Sequence, residues 1–102
     1  MISLIHYNEF AEGMGFPSIK DSFEKKKYDG QDKIVNYLKN GNVYMTSTGY
    51  ATDVVTGDLI KQPKTFMNDG IYSWTSTLVH YVENYNLRLP KAFEEYVLTK
   101  LN

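Results

Sequence analysis

The chain has 102 residues, 42% hydrophobic and 23% charged, which suits one folded domain over residues 1–102 and excludes a disordered tract, a collagen-like repeat or a coiled-coil rod. Eleven Lys and Arg against twelve Asp and Glu give a formal net charge of -1, so the basic footprint of a dedicated nucleic-acid binder is missing. The absence of cysteine excludes a disulfide scaffold, a thiolate-held metal, an iron–sulfur cluster and a cysteine nucleophile, and fits a reducing cytoplasm.

Met1-Ile2-Ser3-Leu4-Ile5-His6 has no charged leader region and no small-residue cleavage site, so export is not expected. No apolar run approaches the length of a membrane span. The first forty residues read as helical. Tyr7 to Met14 forms a first short helix, which Gly15-Phe16-Pro17 interrupts. Ser18 is placed to cap a second, about Ile19 to Tyr28, with Ile19 and Phe23 on one face and Lys25, Lys26 and Lys27 at its solvated C-terminal end. Gln31 to Asn40 carries Ile34, Val35 and Leu38 on one side, and Gly41 stands where a helix-terminating glycine belongs.

From Asn42 the pattern becomes strand-like. Val43 to Thr48 is rich in β-branched and aromatic residues. Thr52-Asp53-Val54-Val55 and Leu59-Ile60 flank Thr56-Gly57-Asp58 as a first hairpin, with Pro63 ending it. Thr65-Phe66-Met67 and Ile71-Tyr72-Ser73-Trp74 flank Asn68-Asp69-Gly70 as a second. Helix returns at Thr75 or Ser76, with Leu78, Val79, Val82 and Tyr85 as one stripe and Tyr81 at its border. Pro90 opens a last helix with Phe93, Val97 and Leu101 inward and Glu94 and Glu95 near its positive end. The predicted fold is therefore α+β: an antiparallel meander of about four strands bracketed by N-terminal and C-terminal helices.

The block Asp69-Gly70-x-Tyr72-x-Trp74-x-Ser76-x-Leu78-x-x-Tyr81-Val82-Glu83-x-Tyr85, continued by Leu89-Pro90-x-x-Phe93 and preceded by the Asp53 to Asp58 hairpin, resembles a segment of small bacterial immunity proteins of contact-dependent inhibition and related polymorphic toxin systems. The resemblance covers about half the chain and leaves the first forty residues unmatched. It implies a partner-binding inhibitor without chemistry of its own.

Catalytic chemistry has little to draw on. The two histidines, His6 and His80, belong to no motif that ties them to a nucleophile, and His80 reads as exposed or bonded to a carbonyl. His80 and Glu83 at i and i+3 supply at best two metal ligands. Gly13-x-Gly15 lacks the third glycine of a dinucleotide loop. No cofactor or metal is expected.

Two readings of function follow. The first is an immunity protein whose partner is a cognate toxin domain, a nuclease by expectation, with no direct contact to nucleic acid or membrane. Because such toxins carry positive substrate grooves, Asp53, Asp58 and Asp69 on turns, with Tyr44, Tyr50 and Tyr72 as anchors, are the candidate partner-binding residues. Each can equally be a turn former or a core ring. The second is a regulatory or scaffold module, monomeric or homodimeric, that uses a sheet edge or tyrosine patch; the 15% aromatic content, with nine Tyr, fits either.

Overall fold

Pairing over long sequence distances, more than local propensity, decides which segments take regular structure. In the computed structural model, which describes residues 1–5 and 7–100, the elements in chain order are β1 (Ile2–Ser3), a 3-10 turn (Ile19–Ser22), α1 (Gln31–Lys39), β2 (Asn42–Thr46), β3 (Thr65–Asn68), β4 (Tyr72–Thr75), α2 (Ser76–Tyr85) and α3 (Lys91–Lys100). The readings of His6 and of Leu101 fall outside the described residues.

The fold is α+β, with one four-stranded sheet in the order β1-β4-β3-β2 and three α-helices. The sheet is mixed rather than an antiparallel meander: β2–β3 and β3–β4 are antiparallel, but β1 lies parallel to β4, with Ile2 opposite Tyr72 and Ser3 opposite Ser73. Two residues give no strand signal of their own, and their partner is far along the chain.

The expected N-terminal helices give way to tertiary contacts. Between Tyr7 and Met14 only one turn closes, with the Phe10 and Ala11 amides donating to the Tyr7 carbonyl, and Gly13 and Gly15 at φ +83° and +80° carry the chain out of helix. The second helix stops after Ser22, because Phe23 is extended and bridges Leu87. Bonds from the Glu24 amide to the Asn86 carbonyl and from the Arg88 amide to the Ser22 carbonyl complete that pairing. The first hairpin also lacks ladders: residues 52–59 form a loop closed by a single Thr52–Leu59 bridge. Only α1 therefore precedes the main strands.

The second hairpin forms as its sequence indicates. Directly opposed residues share a face, so Met67 and Trp74 point one way and Phe66 and Thr75 the other. On the first face Tyr72 packs edge-on against Phe93 at 4.8 Å and Trp74 lies beside the same ring, joining the sheet to α3. On the other, the hydroxyls of Ser3 and Ser73 meet at 3.1 Å.

Thr75 caps α2, its hydroxyl accepting from the Leu78 amide, and Asn86 in the left-handed region ends it. The inward surface of α2 is wider than the expected stripe: Tyr81 is 1% exposed and sits among the core residues with Leu78 and Val82. The α1–α2 contact is fastened by buried Gln31, whose side-chain amide donates to the Val82 carbonyl and to Asn86 Oδ1. In α3, Glu94 does not sit on an exposed first turn. It is buried, pairs bidentately with Arg88 and accepts from the Leu89 amide.

Gly41 follows α1 without a positive φ, so its role is steric. A Cβ there would lie 2.5 Å from Trp74 Cζ2, and the indole is fixed by its Nε1–H donating to the Leu38 carbonyl. Gly41→Ala should therefore lower stability by about 1–3 kcal/mol through overpacking, read as an earlier urea midpoint at unchanged m-value.

Candidate functional site

Residues 51–62 pass along α2 and enclose with it a groove of about 790 Å³, lined by Lys39, Asp58, Leu59, Thr77, His80 and Glu83 among others. The loop has few apolar residues turned inward, so polar bonds hold its shape. Asp53 is the centre of those bonds. Its Oδ1 accepts from the amides of Val55 at 2.8 Å and Thr56 at 3.1 Å, an Asx-type turn that local sequence favours. Its Oδ2 accepts from Tyr85 Oη at 2.8 Å and lies 2.8 Å from His80 Nε2. The Gly57 amide returns to the Asp53 carbonyl, and the Asp53 amide donates to that of Asp58. From α2, the Tyr81 hydroxyl accepts from the Val54 amide at 3.0 Å and donates to the Thr52 carbonyl at 3.3 Å.

The ring donors sit in an aromatic stack. Phe23 lies parallel to Tyr85 with centroids 5.1 Å apart and also stacks on Tyr81. Bonding to the Asp53 carboxylate, with burial added, pushes the Tyr85 phenol up to about 12. Burial pushes the Asp53 carboxyl upward, but the bonds from His80, Tyr85 and the two loop amides outweigh it and hold the group at about 2.

His80 is thus bonded to a carboxylate rather than to a carbonyl. Asn84 Nδ2 lies 3.3 Å from its Nδ1. An acceptor role for Nδ1 assigns the proton to Nε2, which donates to Asp53. Both ring nitrogens are engaged, leaving no lone pair aimed at a reacting group. The nearby Ser76 hydroxyl accepts from the Thr65 amide. A coupled Asp and His is one part of a relay, yet here it fastens a loop to a helix. Among the described residues, no three His, Asp or Glu side chains converge as a metal-holding group.

The six residues expected to bind a partner separate into two sets. Asp53, Asp69 and Tyr72 face inward. Asp69 Oδ1 accepts from the amides of Ile71 and Tyr72, and its Oδ2 accepts from the hydroxyls of Tyr37 and Tyr96, tying the β3–β4 turn to α1 and α3. Burial opposes ionisation of Asp69, but these bonds prevail and lower its pKa. Burial and the bond to Asp69 raise that of Tyr37. Asp58, Tyr44 and Tyr50 are exposed, Tyr44 on β2 beside Phe66 and Tyr50 ahead of the loop.

Sequence reasoning missed His80, Tyr81 and Tyr85 as the loop's anchors, and Val55 and Leu59 as its exposed apolar tip, 48% and 60% exposed. The three ring residues at i, i+1 and i+5 look like an ordinary helix border, and nothing local announces a loop thirty residues upstream as their partner.

No family model, curated protein or solved structure matches the chain. No helix among the described residues is long and apolar enough to cross a membrane.

Asp53→Asn places amide hydrogens against two side-chain donors and should cost about 2–4 kcal/mol at pH 7 in urea unfolding. The native pKa of Asp53 lies below the unfolded value of about 3.9, so the unfolded chain takes up this proton first. The carboxylate's contribution is complete above about pH 4 and is lost as pH falls toward 2; over that interval the gap between wild type and variant should narrow.

Proposed function

We propose that the chain is an immunity-type inhibitor: it binds a cognate bacterial toxin domain, a nuclease by the chemistry expected of its partner, and neutralises it in the cytoplasm by association alone. The observation that carries this reading is the cross-bonded 52–59 loop. Its Asp53 carboxylate is directed into the fold while Val55, Asp58 and Leu59 are presented outward. A loop ordered before binding loses little entropy on docking, and an apolar tip beside a carboxylate suits a partner whose own surface is basic. The engagement of both His80 nitrogens supports a binding role over acid–base chemistry. Likeness of the Asp69 to Phe93 block to immunity proteins adds the class of partner.

Among the three aspartates of the acidic-turn idea, exposure favours Asp58 as the one in contact with a partner. Asp53 and Asp69 act by holding their turns in shape, and Asp58 is the carboxylate that a partner can reach. Tyr50, also exposed, remains a candidate anchor.

The test is affinity capture of the tagged chain from its native cells, followed by co-expression of the captured domain. A domain that kills when expressed alone and not alongside the chain is the expected result. Its absence from repeated captures at native abundance would count against the reading. Leu59→Ala and Asp58→Ala should each weaken that association by about tenfold or more, as contacts at an anchor do, with the thermal midpoint unchanged. Undiminished affinity in both would remove the loop from the interface.

A further inference from the structure

The sheet has two edges, and they differ. At one end β1 is only two residues long; at the other, β2 runs five residues, Asn42 to Thr46, and all five are exposed. Val43, Tyr44 and Met45 are 55%, 55% and 52% exposed, an apolar run on a strand whose outer side has no neighbour in the sheet. Edge strands are ordinarily guarded by charge, proline or distortion. Asn42-Val43-Tyr44-Met45-Thr46 has no charge and no proline, and only the bulge at Tyr44, which has no counterpart on β3, interrupts it.

We infer that this edge is a self-association surface, on which two copies of the chain meet antiparallel along β2 about a two-fold axis through Tyr44. The strand reads with the same polarity from both ends, so the two-fold sets Val43 against Met45 of the second copy and Asn42 against its Thr46. A foreign strand need not match that symmetry; a second copy must. The strand itself is neutral; Lys39, the nearest preceding cation, is paired with Glu83 at 2.6 Å, and the Lys64 ammonium is drawn over the Phe66 ring beside Tyr44.

Size fixes the strength of the contact. Even wholly covered, the exposed parts of five such side chains and their backbone rim offer at most on the order of 400–500 Å² per copy. Edge-on pairing covers only part of side chains that alternate between the two faces, so the contact falls below about 1,000 Å² in total and is a weak one. With the bulge limiting main-chain pairing, the dimer is reversible, with a dissociation constant on the order of 10–100 µM. Pairing of β2 with itself also closes: it leaves no second copy of that edge free, so assembly ends at two. Tyr44 shares a groove with Thr52 and Val54 of the loop, but the loop tip at Val55 to Leu59 does not line it, and the inference does not rest on the immunity reading.

The test is sedimentation equilibrium of the full chain from 5 µM to 1 mM. Wild type should pass from monomer to dimer over this range, while Tyr44→Lys, which places two ammonium groups at the axis, should remain monomeric with an unchanged thermal melt. Because the chain has no cysteine, Tyr44→Cys provides a second reading that does not depend on the lysine variant folding. Under mild oxidation it should form a disulfide-linked dimer, and Ile71→Cys, exposed at the far end of β4, should not. A wild type monomeric at 1 mM, a mass above the dimer, a dimer unaffected by a folded Tyr44→Lys, or equal cross-linking at both cysteines would overturn the proposal. A monomeric outcome would leave the edge to a segment of another protein.

Discussion

A buried or half-buried carboxylate that accepts hydrogen bonds from several elements at once is the contact on which this structure depends. Removing such a group from water is expensive, and only a full set of donors offsets the cost. Asp53 gathers donors from its own loop and from α2; Asp69 gathers them from its turn, α1 and α3; Glu94 is held by Arg88 and the Leu89 amide. Each acid stands where a turn or connector must be fixed against helices. A sheet this short and a loop this poor in inward apolar residues take their shape from these junctions. No buried side-chain nitrogen or oxygen among the described residues lacks a partner.

The same arrangement separates what shapes the surface from what is presented on it. Tyrosine serves both purposes. Tyr81, Tyr85, Tyr37 and Tyr96 bring hydroxyls to inward-turned carboxylates or backbone groups, whereas Tyr44 and Tyr50 remain outside. The high aromatic content therefore has a largely internal explanation, because a ring with a hydroxyl can fill a small core and satisfy a polar group together. Aspartates divide in the same way. Of the three put forward alike for recognition, Asp53 and Asp69 hold their turns, and Asp58, between Gly57 and Leu59 at the loop tip, is exposed.

Much of the C-terminal half was legible from sequence because its signals are local. A cap at Thr75 or Ser76 and the Asn68-Asp69-Gly70 turn follow from residues within a few positions of one another, as does the amphipathic α1 in the first half. The N-terminal region was misread for the opposite reason. Phe23 and Glu24 carry helical pattern, but their backbone groups pair with Leu87 and Asn86, and the extended chain that results excludes helix. Gly41 follows the Asn40 cap of α1 as expected, but its lack of a side chain serves to leave space for an indole rather than to reach a positive φ. The site was half visible: the loop and Asp58 could be named, while the Asp53–His80 contact spans 27 residues and leaves no periodic trace.

The parallel placement of β1 beside β4 imposes an order on assembly as the chain is made. Ser3 is bonded to Ser73, 70 residues later, so a ribosome adding about 5–20 residues per second completes that partner several seconds after β1. Throughout that interval Ile2, Leu4 and Ile5 have no sheet to join, and the hairpin of β3 and β4 must exist before they can dock. The residues of β1 are thus incorporated later than many that are synthesised after them. A nascent chain holds β1 undocked until its C-terminal half has taken form.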